Sequence, residues 1–230
     1  MSTGAGDRTT DAYARLRELI VRGRLAPGTR IIETDVADRL GISRTPVRAA
    51  LQRLSQEGYV VSGSDGRRSR LSVAPLTLED AEELFHIVGI IEGLAGRWTA
   101  GSPAGRDEAV ADMRRINDEY RRCADEARPD FNELFDLDEA FHRRYVESGA
   151  RPRLLGLHDS IKPQAERYIR VYISVLTDQI PISVKEHQAI IEAIDAAEPE
   201  VAQRAIEQNW RNAAKRLSRV IEDVGERGSW

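Results

Sequence analysis

A chain of 230 residues, 41% hydrophobic and 31% charged, has room for one large domain or two smaller ones and enough apolar material for real cores. No run approaches the roughly 18 apolar residues of a membrane span. The start "MSTGAGDRTT" lacks the apolar segment of a signal peptide, and the single Cys123 leaves no internal disulfide, which favours a reducing cytoplasm. The net charge of −4 conceals an asymmetry: residues 1–75 carry 13 Arg and no Lys against 8 acidic residues, while the remainder holds 21 basic and 30 acidic residues. A basic head on an acidic body is the distribution of a nucleic-acid-binding protein.

Residues 1–10 read as a disordered leader. A first helix is predicted over 12–21, with Leu16, Leu19 and Ile20 on one face. Pro27-Gly28 marks a turn. A short second helix over 34–40 turns Val36, Ala37 and Leu40 inward, and Gly41 ends it because glycine tolerates positive φ. Ser43 is the predicted N-cap of a third helix. Pro46 falls in that helix's first turn, where the amide it lacks has no intrahelical acceptor. Gly58 closes the helix. Residues 59–61 and 71–73 are β-capable and flank a Gly/Ser/Asp/Arg tip, so a hairpin is expected. After Pro75 the pattern is helical throughout. Six helices are predicted: from Thr77 along the stripe Ala81, Leu84, Phe85, Val88, Ile91 and Ala95; then 107–126, 131–148, 152–177 with a bend at Pro163, a fifth after Pro181, and 200–223. The expected fold is mainly α. It comprises a winged helix-turn-helix over 11–75 and an all-helical bundle of six to seven helices over 76–230.

In a helix-turn-helix the second helix enters the major groove with its amino-terminal residues at base edges. In "RLGISRTPVRAALQRL", Val47, Leu51 and Leu54 pack inward at i, i+4, i+7, and Arg44 and Arg48 share another face. Ser43 and Thr45 stand at the helix start, where hydroxyls and free amides hold phosphate. Arg39 and Arg53 are phosphate contacts or solvated surface. Arg67, Arg68 and Arg70 would reach backbone or minor groove from the hairpin tip.

The long motif "LRELIVRGRLAPGTRIIETDVADRLGISRTPVRAALQRLSQEGYV" closely resembles the head of GntR-family bacterial transcription regulators. The tail, with "LTLEDAEELF", "LDEAFHRRY" and "EHQAIIEAIDAAEPEVAQRAI", resembles the helical FCD-type ligand-sensing domain of the FadR-like subfamily. The resemblance covers nearly the whole chain. It implies a homodimer that binds a palindromic operator in double-stranded DNA and is released or modulated by a small metabolite, a carboxylate or sugar acid. By motif position it assigns DNA contact to Thr34, Ser43, Arg44, Thr45 and Arg48, and more loosely to the wing residues Gly66 and Arg67. Thr34 stands where the family often has Arg.

Asp138 and His142 project from one helix face at i, i+4; His187 belongs to the stripe His187, Ile190, Ile191, Ile194, and Asn209 to Ile206, Asn209, Ala213. Polar groups on apolar stripes need partners once buried. A carboxylate, two imidazoles and an amide oxygen suit a divalent ion, Zn first and Ni or Mn next. Relatives carry one Asp and three His here, so Asn209 departs from the pattern. Their Glu-Val-Arg, whose Arg meets the effector's carboxylate, is also missing: His86 and Val88 stand in its place. Tyr168, Arg170 and Tyr172 are the substitutes expected at the effector, together with His86. Glu92 reads as a structural partner, His158 as surface, and Trp98 and Trp210 as packing. The rival readings are a metal-dependent helical-bundle enzyme on Asp138, His142 and His187, and a ligand-independent DNA binder. No HExxH, GxSxG or P-loop supports the first, and the inward Asp138 and His142 argue against the second.

Overall fold

The computed structural model describes residues 3–64 and 69–228. The chain divides into two units, one running to Thr77 and including the segment from Gly225, the other Leu78–Val224.

The first unit is built of α1 (Thr3–Val21), β1 (Arg30–Ile31), α2 (Glu33–Leu40), α3 (Arg44–Gln56), β2 (Val60–Ser64) and β3 (Ser69–Val73). Ala12, Leu16 and Ile20 on α1 meet Val47, Leu51 and Leu54 on α3 in one core with Tyr59, Val60 and Val73. Where a disordered leader is expected, α1 is already helical from Thr3. Those first residues have no apolar face to register as periodicity, but extending an existing helix is far easier than nucleating one. Gly41 and Gly58 take φ of +66° and +81° at the ends of α2 and α3, and the left-handed turn at Gly41 aims α3 away from α2. The three strands run antiparallel in the order β1-β3-β2, with Ile31 opposite Leu71 and Val60 opposite Val73. The two-residue β1 is not visible to alternation. Thr29 carbonyl accepts from the Val73 amide at 2.9 Å and holds it there.

The second unit is a bundle of six α-helices among the described residues: α4 (Leu78–Gly101), α5 (Arg106–Ala124), α6 (Phe131–Gly149), α7 (Pro152–Leu176), α8 (Ile180–Asp195) and α9 (Pro199–Val224), with a 3-10 turn at Thr177–Gln179. Asp130 caps α6, accepting from the Asn132 amide at 2.8 Å. α7 runs through Pro163 as one helix. α4 packs closely on α9 along Gly89, Gly93 and Gly96. A Cβ at Gly89 would lie 2.8 Å from Trp210 Cβ, one at Gly93 3.0 Å from Glu207 Cγ, and one at Gly96 would overlap Ile206 Cδ1. That proximity brings Glu92 of α4 and Asn209 and Trp210 of α9 into the interior beside α6.

Candidate nucleic-acid interface and candidate metal centre

α3 buries Pro46, Val47, Ala50, Leu51 and Leu54. Ser43, Arg44, Thr45 and Arg48 are thereby left exposed on its outer face and at its start. Ser43 is the N-cap residue, but its hydroxyl makes no capping bond. Glu33, at the start of α2, draws both arginines together. Arg48 Nη2 donates to its carboxylate at 2.9 Å and Arg44 Nη2 lies at 3.6 Å. The hydrogen bond from Arg48 holds the Glu33 carboxyl below its ordinary range. Thr34 is exposed on the next residue, its hydroxyl 3.3 Å from Asp35. Arg30 of β1, Arg44 and Arg70 of β3 line one hollow with Glu33 and Thr34. Arg30 carried no sequence signal, because β1 itself was not foreseen. Arg53 turns away to a structural role: its guanidinium stacks 3.7 Å over the Tyr13 ring and donates to Glu57 at 2.9 Å. Gly66, Arg67 and Arg68 lie outside the described residues.

Within the bundle, Asp138, His142 and His187 bring one ligand atom each within 4.8 Å of one another. The hydrogen bonds behind them fix both imidazole tautomers. Asn117 of α5 donates its Nδ2 to the Val184 carbonyl at 3.2 Å, so its Oδ1 is the atom 3.2 Å from His187 Nδ1. His187 therefore carries its proton on Nδ1, and Nε2 presents a lone pair. Burial, with the His142 and Arg216 charges adding to it, holds the His187 imidazolium pKa well below its ordinary value, so the ring is neutral. Its Nε2 has no hydrogen-bond partner, yet it sits 3.5 Å from Asp138 Oδ1. Two acceptors facing each other in a buried site repel unless a cation or a hydrogen-bond donor lies between them. Donors about 2.1 Å from a tetrahedral zinc are separated by about 3.4 Å. His142 points Nδ1 at Glu92 Oε2, 2.7 Å away, so Nε2 is the atom this ring would offer as a ligand on losing its second proton.

Glu92 is 0% exposed and is the hub of this layer. Tyr145 donates to it at 2.5 Å and Trp210 Nε1 at 2.9 Å, and His158 Nε2 lies 3.1 Å away. Burial alone would raise its pKa; the His142 charge and the hydrogen bonds from His142 and His158 outweigh it and hold the carboxyl well below the usual range. His158 is thus buried, not surface, and Trp210 is a donor as well as packing. Asn209 gives its amide Nδ2 to Glu186 at 3.0 Å and keeps its carbonyl oxygen as an acceptor.

The four residues expected at the effector are not brought together. Tyr168 and Tyr172 are buried, with the Tyr168 hydroxyl donating to Asp80 at 2.6 Å. Arg170 stacks 3.6 Å over Phe135 and reaches Asp136 at 3.3 Å. His86 is exposed in a separate shallow hollow with Arg211 and Lys215. None lines the cavity that Asp138 lines, which has a volume of about 80 Å³ and takes Tyr120, Ile169, Ile173, Ser183 and Arg216 in its wall. α7 turns its Ile169/Ile173/Leu176 edge to that space, one residue round from Tyr168 and Tyr172.

A winged helix-turn-helix followed by a helical bundle with a polar, cavity-lined interior defines a ligand-responsive DNA-binding transcription regulator. The FCD domain pattern matches residues 83–212 and the pattern of bacterial regulatory proteins of the gntR family matches 8–67, and the chain belongs to the FCD-containing GntR family, which comprises regulators and not enzymes. It is 23% identical to the uncharacterized HTH-type transcriptional regulator YdhC of Bacillus subtilis, over 93% of this chain and 92% of that one. To the gluconate operon transcriptional repressor of Bacillus licheniformis it is 23% identical, over 85% of this chain and 79% of the relative. A crystal structure of a GntR regulator from Rhodococcus sp. RHA1 shares the fold with a TM-score of 0.71 at 23% identity, covering 92% of this chain and 97% of that one. No described helix is long and apolar enough to cross a membrane.

Proposed function

We propose that this chain is a cytoplasmic repressor that binds a palindromic operator in double-stranded DNA as a homodimer and is modulated by a small metabolite in the bundle. The observation that carries the DNA assignment is the start of α3. Thr34, Ser43, Arg44, Thr45 and Arg48 stand exposed on two helices that the Leu16/Leu51/Leu54 core holds rigid. Gly66 and Arg67 complete the set from the wing. Arg44 and Arg48 read guanine or clamp phosphate, and the hydroxyls of Ser43 and Thr45 position the backbone.

Asp138, His142 and His187, with the Asn209 carbonyl oxygen as fourth donor, hold a divalent metal. Support comes from the lone pair of His187 Nε2 facing a carboxylate without a proton between them. Zinc suits the two imidazoles, and the harder amide oxygen moves the preference toward nickel or manganese. The ion would supply local positive charge at the cavity wall. A metabolite bound there shifts the population of DNA-competent states.

Fluorescence anisotropy with duplexes from upstream of the chain's own operon tests this. Sequence-selective binding is expected, and Arg48→Ala should weaken it by about 1–3 kcal/mol without lowering the melting temperature. Equal affinity for operator and arbitrary DNA at low salt overturns the reading.

A further inference from the structure

The segment Gly225–Gly228, which follows α9, is part of the head. Arg227 and Leu76 form an antiparallel bridge. The Leu76 amide donates to the Arg227 carbonyl at 2.8 Å, and the Arg227 amide donates to the Leu76 carbonyl at 3.1 Å. Leu76 itself is fully buried and stands between β3 and the start of α4. Gly228 then lies against the Pro27-Gly28 turn. Its φ is +78°, and a Cβ there would stand 2.5 Å from the Gly28 amide nitrogen and 2.5 Å from the Pro27 carbonyl carbon. Those are backbone atoms, which cannot swing aside, so the position takes glycine alone. The turn leads straight to the DNA-reading face. The Gly28 amide donates to the Val73 carbonyl at 3.0 Å, and the Thr29 carbonyl accepts from the Val73 amide at 2.9 Å. These bonds fix β1 with Arg30, and α2 follows with Glu33, which gathers Arg44 and Arg48.

We propose that Gly225–Gly228 is a strap through which α9 sets the pose of the DNA-reading face, with Gly228 as its positioning residue on the Pro27-Gly28 turn. The chain crosses between head and bundle twice, after Thr77 and after Val224. The Leu76–Arg227 bridge joins the two crossings, so the residue leading into α4 is bonded to one just beyond α9. α4 and α9 are themselves packed along Gly89, Gly93 and Gly96. A slide of α9 on α4 therefore pulls on the bridge and on the turn, and hydrogen-bonded backbone carries the displacement to β1 and α2. α9 also carries Asn209, so a change at the bundle's polar layer has a covalent route to the head. This rests on the DNA-binding reading above and adds the part of the chain that couples it to the bundle.

Hydrogen exchange of the full-length native protein tests the docking. The Leu76 and Arg227 amides should exchange at least roughly tenfold more slowly than in an unstructured chain. The coupling is tested by two variants in fluorescence anisotropy, with the upstream duplex and with a copy whose half-sites are moved apart by about two base pairs, a rotation of about 70°. Gly228→Val should weaken binding even to a single half-site, by roughly 2- to 30-fold. A six-residue Gly-Ser insert between Val224 and Gly225 leaves the strap docked but slack. It should keep the melting temperature and the half-site affinity of the wild type. The wild type should lose at least roughly tenfold on the respaced duplex, and the insert variant much less. Where Gly228→Val fails to fold, exchange and the insert variant decide. Unprotected amides at Leu76 and Arg227, wild-type half-site affinity in a folded Gly228→Val, or equal spacing selectivity in wild type and insert variant would each overturn the proposal. A wild type that does not select the upstream duplex over arbitrary DNA fails the regulator reading instead, and slow exchange at the bridge tells that failure from an undocked strap.

Discussion

At the scale of single residues, buried charge is tolerated only where every lone pair is used, and Glu92 shows how. Its two oxygens meet Nδ1 of His142, the Tyr145 hydroxyl, the Trp210 indole and the His158 ring. Lys162, 4% exposed, stands nearby with its ammonium 5.4 Å from the Trp210 ring. Removing the carboxylate leaves that set of donors without an acceptor, while Lys162 keeps its partner Glu166 at 3.4 Å. Glu92→Ala should therefore cost about 3–5 kcal/mol of stability, read in a denaturant melt. Glu92→Gln keeps the shape and one acceptor, so it should cost less, but it loosens the hold on His142 and should weaken metal binding about 10- to 100-fold in a competition titration. A melt unchanged in the alanine variant would mean that the layer is held by packing alone.

At the scale of elements, the glycines of α4 are a condition for the site. Gly89, Gly93 and Gly96 let α9 approach until Trp210 and Asn209 reach the α6 layer. Gly96→Ala must displace Ile206, since the new Cβ would overlap its Cδ1. Overpacking of this kind costs about 1–3 kcal/mol, offset in part by alanine's better helix propensity, so a net loss of thermal stability is the expected result of a calorimetric scan. Gly156, with open space around its Cβ position, should gain slightly from the same substitution. Equal effects at the two positions would dismiss the close-packing account. The helices themselves were legible because each carries an apolar stripe over at least two turns, and apart from the start of α1, which lies nine residues earlier than expected, their predicted bounds fall within a few residues of those observed. The cluster of Asp138, His142 and His187 was legible from i, i+4 spacing and from polar residues interrupting apolar stripes. What the sequence hid was long-range. Asn117 meets His187 of another helix and the Tyr145 hydroxyl reaches Glu92 of α4, and nothing local marks either contact. His158, expected at the surface, faces inward with Lys162 one turn on, where Leu154 and Ala165 also lie. On α7, one position, about 100° of rotation, separates Tyr168 and Tyr172, which lie in the core, from Ile169 and Ile173, which line the cavity.

At the scale of the whole molecule, α4 carries more apolar surface than one bundle uses. Its inner face buries Phe85, Val88, Glu92 and Ala95. On the opposite face Ile87, Ile90 and Trp98 are exposed, Ile90 by 50%, with the half-buried Leu94 between them. These four follow at i, i+3, i+7, i+11, a stripe at helical spacing and not scattered single residues. A helix apolar on both faces belongs between two layers of protein, and an isologous pair of α4 helices would supply the second layer with one surface. A two-fold pair of heads is also what a palindromic operator requires, so the same stripe bears on DNA affinity without touching DNA. Ile87→Glu combined with Ile90→Glu should convert a dimer to a monomer in sedimentation velocity at micromolar concentration. The variant monomer should keep its helical circular dichroism, since the inner face is untouched. Its operator affinity should fall much further than its affinity for a single half-site, because the second head no longer binds as part of one molecule. A variant that still sediments as a dimer would place the interface on another face of the bundle, and a monomeric wild type would remove the dimer itself.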